Sequence, residues 1–309
     1  MIIGLDVGGT KALGLAIDAE TGSVRGRARR PSAGTPDELI ETLGSIVDEL
    51  TADEAATSVG LGIAGLVTRD GVVRYSPNLA DLVEFPVAER LSSATGLPVL
   101  AANDASAGTW AEAKLGAGRG ADDFAYVALG TGIGAGFVIN GRLALGANGF
   151  AGEVGHVVID PNGPTHITGR NGPWEYYASG NALGRMGREA AAAGRFPDAV
   201  ADVDRLDDLV GQHVVELMRA GDDDARIVFD GFCREVARGL ADLVLTLDPE
   251  RIVIGGGLVD IGDPLIAGVT HWLGELLLGA DHRPIPDVVA AELGADAAAL
   301  GAALLAAER

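Results

Sequence analysis

The sequence predicts an α/β protein built as two similar lobes. Two observations carry that prediction. Short apolar strands alternate with long amphipathic helical stretches, and a strand–glycine turn–strand opening near residue 2 recurs near residue 124. Strands alternating with helices argue for layered α/β architecture, and the recurrence argues for two units of like construction facing one another. A chain of 309 residues is long for one hydrophobic core and comfortable for two.

Taken in order, "IIGLDVG" reads as a strand, "ALGLAID" as a second after a glycine turn, and "SVRGRA" as a third after the turn signal "AETG". In "TPDELIETLGSIVDEL" Thr35 is a helix N-cap, Pro36 sits at the first helical position and Glu38 closes a capping box. Leu39, Leu43, Ile46, Val47 and Leu50 give this helix its apolar stripe. "SVGLGIAG" and "LPVLAAND" are buried-type strands, and "ASAGTWAEAKLG" is helical. "FAYVALGTGIGAGFVINGRL" repeats the opening pattern, with Asn140-Gly141 as a tight hairpin turn. The stretch from 155 to 180 is too irregular for one helix or strand. Helical patterns follow around 178–194, 203–220 and 224–247, then the strand "RIVIGGGLVD", then helices near 263–278 and 294–307. The division this suggests is a smaller lobe over 1–116, joined by the C-terminal helix of about 294–309, and a larger lobe over 117–293.

Composition narrows the functions. Hydrophobic content of 48% with 22% charged residues fits a globular protein in water. No apolar run approaches the ~20 residues of a bilayer crossing. The opening "MIIGLDVGGTK" lacks the basic and apolar regions of a signal peptide, so a cytoplasmic location is expected. The net charge of −21, with Lys11 and Lys114 the only lysines, disfavours nucleic acid, anionic membrane and long polyanions as partners. Cys233 is the single cysteine, which excludes an intrachain disulfide and a thiolate-rich metal cluster. It lies on a helical pattern as a core thiol.

Three glycine clusters follow buried strands. "DVGGTK" places Asp6 at a strand end before Gly8, Gly9, Thr10 and Lys11. Glycines let backbone amides approach a phosphate closely. Asp6 suits magnesium, directly or through water, while Thr10 and Lys11 suit phosphate oxygens. "LGTGIGAG" offers a second cradle around Thr131 and Gly132; it fits no dinucleotide fingerprint, and a strand follows it rather than a helix. "IGGGL", with Gly255, Gly256 and Gly257, suits a flat ring lying against backbone. "AANDASAGTW" leaves two readings of Asp104. It is the cap of a helix starting near Ser106, or a general base with Asn103 as a neutral hydrogen-bonding partner of a polyol.

These motifs resemble, in order and over nearly the whole chain, the ROK family of bacterial sugar kinases and repressors. "DVGGTK", "LGTGIGAG" and "IGGGL" look like the two phosphate motifs and the adenosine motif of the actin-like ATPase superfamily, and "GIAGLV", "SPNL", "AANDASAG" and "GFAGEVGH" like successive family blocks. The resemblance implies a two-lobed actin-like ATPase (ribonuclease H-like) fold with an interlobe cleft for ATP and sugar. It also implies a C-terminal helix packed on the first lobe, and a homodimer or homotetramer. It makes Asp104 the catalytic base, and Gly65, Asn78, Asn103, Glu153, His156 and Glu175 sugar contacts. Asp6, Gly8, Gly9, Thr10, Lys11, Thr131 and Gly132 fall in the phosphate and magnesium region, and Gly255 to Gly257 on the adenosine side.

One segment departs from the family pattern. Many members carry C-x-C-G-x-x-G-C-x-E, whose cysteines hold zinc with the histidine of E-x-G-H. Here the frame reads "HITGRNGPWE", with His166, Thr168 and Pro173 at the cysteine positions. Two histidines beside Thr and Pro make a poor tetrahedral zinc site. Zinc is therefore not expected, and prolines together with packing of Trp174 are expected to shape the loop. The function so implied is Mg-ATP-dependent phosphorylation of a hexose at its 6-hydroxyl, glucose first, with an N-acetylhexosamine or mannose as the alternative substrate. A family repressor needs a DNA-binding module ahead of Asp6. A non-catalytic sugar-binding protein leaves Asp6, Asp104 and the glycine turns unused. Polyphosphate as donor is disfavoured by the acidic field.

Overall fold

The computed structural model describes residues 1–308 except 19–20, 33–34, 78, 80 and 197–204. The strands are β1 (Ile2–Val7), β2 (Lys11–Ile17), β3 (Val24–Pro31), β4 (Val59–Ile63), β5 (Leu66–Val67), β6 (Val73–Tyr75), β7 (Val99–Asn103), β8 (Phe124–Leu129), β9 (Ile133–Ile139), β10 (Arg142–Leu143), β11 (Arg251–Gly255) and β12 (Asp287–Ala290). The helices are α1 (Pro36–Leu50), α2 (Val87–Thr95), α3 (Asp104–Leu115), α4 (Trp174–Ala178), α5 (Gly180–Ala192), α6 (Gly211–Ala220), α7 (Asp223–Leu247), α8 (Asp263–Leu276) and α9 (Ala297–Ala307). The chain forms two compact units. The first is Met1–Tyr126 with Ala135–Gly152 and Ala291–Arg309, the second Val127–Gly134 with Glu153–Ala290.

The five-stranded sheets run β3-β2-β1-β4-β7 and β10-β9-β8-β11-β12. Each reads third, second, first, then two later strands, so the repeat seen in the sequence is a repeat of topology. In the first sheet β1, β4 and β7 are parallel and β2 is antiparallel to β1 and β3. This mixed sheet with helices is the actin-like ATPase fold. Beyond the sequence reading, the structure adds the β5–β6 hairpin, α2, β12 and the short α4. Runs this short carry too few periods for hydrophobic alternation to reveal them.

Period-two alternation sorts the first sheet onto two cores. Ile3, Leu5 and Val7 face Leu39, Leu43, Ile46 and Val47 of α1. Leu13, Leu15 and Ile17 share the other face with Leu300 and Ala303 of α9. The capping box on α1 forms as the sequence reads it, Thr35 and Glu38 satisfying each other's backbone amides. The α9 face explains two glycines within strands. A Cβ on Gly4 would lie 2.0 Å from the Ala299 carbonyl oxygen, and one on Gly60 1.9 Å from that of Ala302. On α9 itself, a Cβ on Gly301 would lie 1.7 Å from the Ala107 oxygen of α3. Small residues thus let three backbones meet closely. Glu112, wholly buried in α3, accepts N–H bonds from Ala117 (2.7 Å), Glu292 (3.3 Å) and Leu293 (2.9 Å), fixing the chain just before α9.

In the second unit the indole of Trp174 lies over Gly239 of α7, where a Cβ would come within 2.1 Å of the ring, and its Nε1–H donates to the Glu235 carbonyl at 3.0 Å. Cys233, also on α7, is fully buried against Gly268 of α8, and burial pushes its thiol up to about 12. The sequence reading of a core thiol holds. In the first unit, the Asn140-Gly141 turn joins β9 to β10 with both residues at positive φ (51° and 70°), the geometry a two-residue hairpin demands.

Candidate functional site

In the first unit the residues singled out from the sequence gather at the carboxyl ends of the parallel strands, where open α/β sheets bind ligands. Asp6 pairs in register with Gly62, and Gly62 with Ala102, so Asp6 on β1 and Asp104 just beyond β7 stand at the same end of the two strands that flank β4. Both are partly buried. Loss of hydration, then the charge of Asp104, pushes the Asp6 carboxyl up to about 7, with Lys11 opposing the rise. Burial also raises Asp104, against the lowering effect of backbone hydrogen bonds from Ala105 and from its own N–H. A base poised above the ordinary carboxylate range is better matched to proton transfer near neutral pH.

The structure corrects the capping alternative for Asp104. The N-cap of α3 is Asn103, in extended conformation, its Oδ1 accepting the Ser106 N–H at 3.0 Å. Asp104 is the first helical residue, and its Oδ1 accepts the N–H of its neighbour Ala105 at 2.9 Å. The asparagine amide also donates to the Gly65 carbonyl at 3.1 Å, which leaves Asn103 one N–H and one lone pair for a ligand. Gly65 itself is structurally obligatory, because its φ is +124° and a Cβ would lie 2.4 Å from the Tyr75 oxygen. Asn78 falls outside the described residues.

The β1–β2 turn closes with the Gly8 N–H donating to the Lys11 carbonyl at 3.1 Å, leaving Gly9, Thr10 and Lys11 exposed. A Cβ on Gly8 would meet nothing within 4 Å, and its φ is not positive. No packing demand explains this glycine, so the open space beside it fits a phosphate drawn close to backbone. Asp6 fits magnesium, being an oxygen donor held half out of water with no hydrogen-bond donor on it among the described contacts.

In the second unit the turn after β8 and the turn after β11 lie against each other. Gly256, at φ +77°, abuts Leu129, whose carbonyl oxygen would be 2.4 Å from a Cβ. Thr131 and Gly257 are exposed, Gly132 is partly buried and Gly255 is buried. The Gly180 N–H donates to the Gly130 carbonyl at 2.7 Å, tying the start of α5 to this turn. Gly136, which belongs to the first unit, serves packing instead, since a Cβ there would lie 2.2 Å from the Thr109 hydroxyl.

Glu175, on α4, has one carboxylate oxygen (Oε2) accepting the Ile133 N–H at 2.7 Å and the other (Oε1) 3.4 Å from His166 Nε2. A Cβ on Gly132 would lie 2.3 Å from Oε2, so this glycine is required by the carboxylate beside it. His156 ends a single 3₁₀ turn (Val154–His156), with Nε2 3.7 Å from Glu153 Oε2 and Nδ1 buried without a hydrogen-bond partner. The loop that precedes α4 is held by fixed contacts. The Tyr177 hydroxyl donates to Asp160 (3.0 Å), Thr165 bonds Asn171 (2.7 Å), and the Arg238 guanidinium donates to the Ile159 carbonyl (2.7 Å). A thiolate zinc centre does not fit here, since Thr168 and Pro173 supply no sulfur. The sequence reading set His156 beside His166 and gave His156 and Glu175 to the sugar; the structure brings all three together, one donor atom of each lying within 4.8 Å of the others. Nineteen residues separate His156 from Glu175, and only the folded loop closes that distance.

Similarity to known proteins bears on this geometry. A glucokinase of Streptomyces coelicolor is 36% identical over 318 aligned residues, covering 100% of this chain and 98% of its own. An N-acetylmannosamine kinase of Escherichia fergusonii is 35% identical, covering 98% and 97% respectively. The crystal structure of a ROK family glucokinase from Streptomyces griseus, in complex with glucose and AMPPNP, superposes with a TM-score of 0.88 at 34% identity, over 100% of this chain and 99% of that one. The ROK family model itself matches residues 2–309. With its glycine turns, its paired aspartates and this full-length likeness, the chain belongs to the ROK family.

Proposed function

We propose that this protein is an ATP-dependent sugar kinase that phosphorylates the 6-hydroxyl of a hexose, glucose first. The observation that carries the reading is Asp104, a carboxylate at the mouth of the first sheet whose affinity for a proton is raised by burial. The full-length likeness to glucokinases supports the substrate. Asp104 takes the proton of the attacking hydroxyl as the new P–O bond forms. Asn103, with Gly65 behind it, and His156, Glu153 and Glu175 orient the sugar. Thr10, Lys11 and the amides of the β1–β2 turn, with Thr131 and Gly132, hold phosphate oxygens and offset their developing charge. Gly255 to Gly257 admit the adenosine. Asp6 would hold magnesium, directly or through water, and the bound ion would supply charge neutralisation for the triphosphate.

The likeness to an N-acetylmannosamine kinase at 35% identity favours a second substrate reading, an N-acetylated hexosamine. A panel of hexoses and hexosamines assayed with Mg-ATP, following ADP release and identifying the product, tests both. Glucose 6-phosphate as the leading product supports the first reading. A leading N-acetylhexosamine phosphate replaces it with the second, and absence of ADP release with every sugar removes the kinase reading altogether.

A further inference from the structure

We propose that a hydrogen-bonded chain from Thr168 through His166 to Glu175 takes the place of the family's metal in this loop. His166 is then a positioning residue for the carboxylate that meets the sugar. The family frame has cysteines where this chain has His166, Thr168 and Pro173. Each of the three is engaged in another way here. His166 Nδ1 lies 3.2 Å from the Thr168 hydroxyl, and its Nε2 lies 3.4 Å from Glu175 Oε1. Pro173 is the N-cap of α4, bridged through its backbone to Val158, and its side chain offers no donor atom.

The placement of the hydrogens follows from what each group can do. An ionised carboxylate only accepts, so the Nε2 that faces Oε1 carries a proton; a lone pair there would be repelled. A threonine hydroxyl both donates and accepts, so Thr168 partners Nδ1 and steadies the ring. The other carboxylate oxygen, Oε2, accepts the Ile133 N–H at 2.7 Å. Glu175 is thus held at both oxygens, by backbone at the start of β9 and by His166. Each oxygen keeps a second lone pair for a sugar hydroxyl. The side chains of His166 and Glu175 are only 14% and 17% exposed, so water and salt screen their attraction little. His156 stands apart from this chain, its Nε2 3.7 Å from Glu153 and its ring centre 6.4 Å from that of His166.

Main-chain bonds close the loop without an ion. The His166 N–H donates to the Arg170 carbonyl (2.8 Å), the Gly172 N–H to that of Pro164 (2.9 Å) and the Trp174 N–H to that of Val157 (2.8 Å). Gly172, at φ +55°, admits the Asp160 carbonyl oxygen, which would lie 1.8 Å from a Cβ. What remains for the side chains to supply is the orientation of Glu175, and His166 supplies it. The inference rests on the reading of Glu175 as a sugar contact, and one of its measurements is independent of that reading.

The test uses untagged full-length protein with Mg-ATP and glucose, comparing His166→Ala, His166→Gln and Thr168→Val with wild type. His166→Ala should raise the glucose KM about five- to tenfold, the scale of one lost hydrogen bond, with kcat and the ATP KM little changed. His166→Gln, which restores an N–H for Oε1, should recover most of that loss, and Thr168→Val should show a smaller rise. A wild-type glucose KM in His166→Ala overturns the proposal. So does an equal rise in both KM values with a lowered Tm and no recovery in His166→Gln, the mark of a merely structural residue. Zinc retained at one equivalent through purification, with turnover lost when a zinc-selective chelator removes it, also overturns it. Turnover indifferent to that chelator supports it. Ring ¹⁵N shifts of His166 in the wild-type protein need neither turnover nor a folded variant. A protonated Nε2 supports the chain even where glucose is not phosphorylated and the kinase reading falls. An unprotonated Nε2 overturns the chain and leaves the kinase reading intact.

Discussion

Asp6 and Asp104 are carboxylates at one end of one sheet, and beside burial the charge of Asp104 raises Asp6. For Asp104, removing the base while keeping its shape should separate chemistry from binding. Asp104→Asn is expected to lower kcat by about 10²–10⁴-fold while the sugar Kd changes little, as read by steady-state kinetics beside calorimetric sugar titration. Near-normal turnover would remove Asp104 as the base. For Asp6 the raised carboxyl becomes a statement about stability. The native state keeps this proton up to about 7, whereas the unfolded chain releases it near the ordinary 3.8. Between those limits the native state binds more protons, so stability of the metal-free protein falls as pH rises and the loss is complete above about 7. A shift of this size corresponds to about 4 kcal/mol. Urea denaturation across that range should show the slope, and Asp6→Asn should remove its part of it, leaving the contribution of Asp104. The sequence named both aspartates from their strand-end positions. It could not assign the helix cap, because Asn103 and Asp104 are equally good capping types. Only the backbone angles at the strand–helix junction put the first in the cap and freed the second.

Elements in this protein are positioned by close backbone contact as much as by side-chain packing. The helix α9 reaches β1, β4 and α3 because Gly4, Gly60 and Gly301 leave room for main-chain oxygens. Gly60→Val puts two methyl groups where the Ala302 carbonyl stands, and we expect it to cost about 3 kcal/mol or more, measured by chemical denaturation, because backbone cannot yield as a rotamer does. Glu112 gives a second test on the same face. Glu112→Ala removes the buried acceptor of three partly buried N–H groups and should destabilise the fold by about 1–3 kcal/mol, and Glu112→Gln, which keeps one acceptor oxygen, should fall between it and wild type. The glycine-rich strands and the alanine-rich last helix were visible in the sequence as composition. Their meeting was not, since nothing local in "AAALGAALLAA" says which backbone it will touch. The irregular loop before α4 shows the same division. Its prolines and glycines announced the irregularity, while the seat of Trp174 on Gly239 joins positions 65 residues apart and exists only in the fold.

At the scale of the whole molecule, charge and repetition dominate. With a net charge of −21, the field repels long polyanions more than a compact Mg-ATP complex. ATP should therefore be the far better donor, and any polyphosphate activity should rise with added salt; assays with each donor over a salt series check this. Among the described residues no helix is long and apolar enough to cross a membrane. The repeat of strand, glycine turn and strand was legible because each copy is local, a run of about twenty residues whose alternation and turn glycines act on near neighbours. It correctly foretold two sheets of one topology. What sequence alone determined, then, was everything set by short-range chemistry: strand and helix periods, the Thr35–Glu38 cap, the Asn140-Gly141 turn and the carboxylates at strand ends. Tertiary structure alone decided which distant groups became neighbours. It raised Asp6 by burying it and bringing Asp104 near, seated α9 through Gly4, Gly60 and its own Gly301, and gathered His156, His166 and Glu175 around one point. Burial and charge–charge coupling depend on distance through space, and no spacing along the chain encodes that distance.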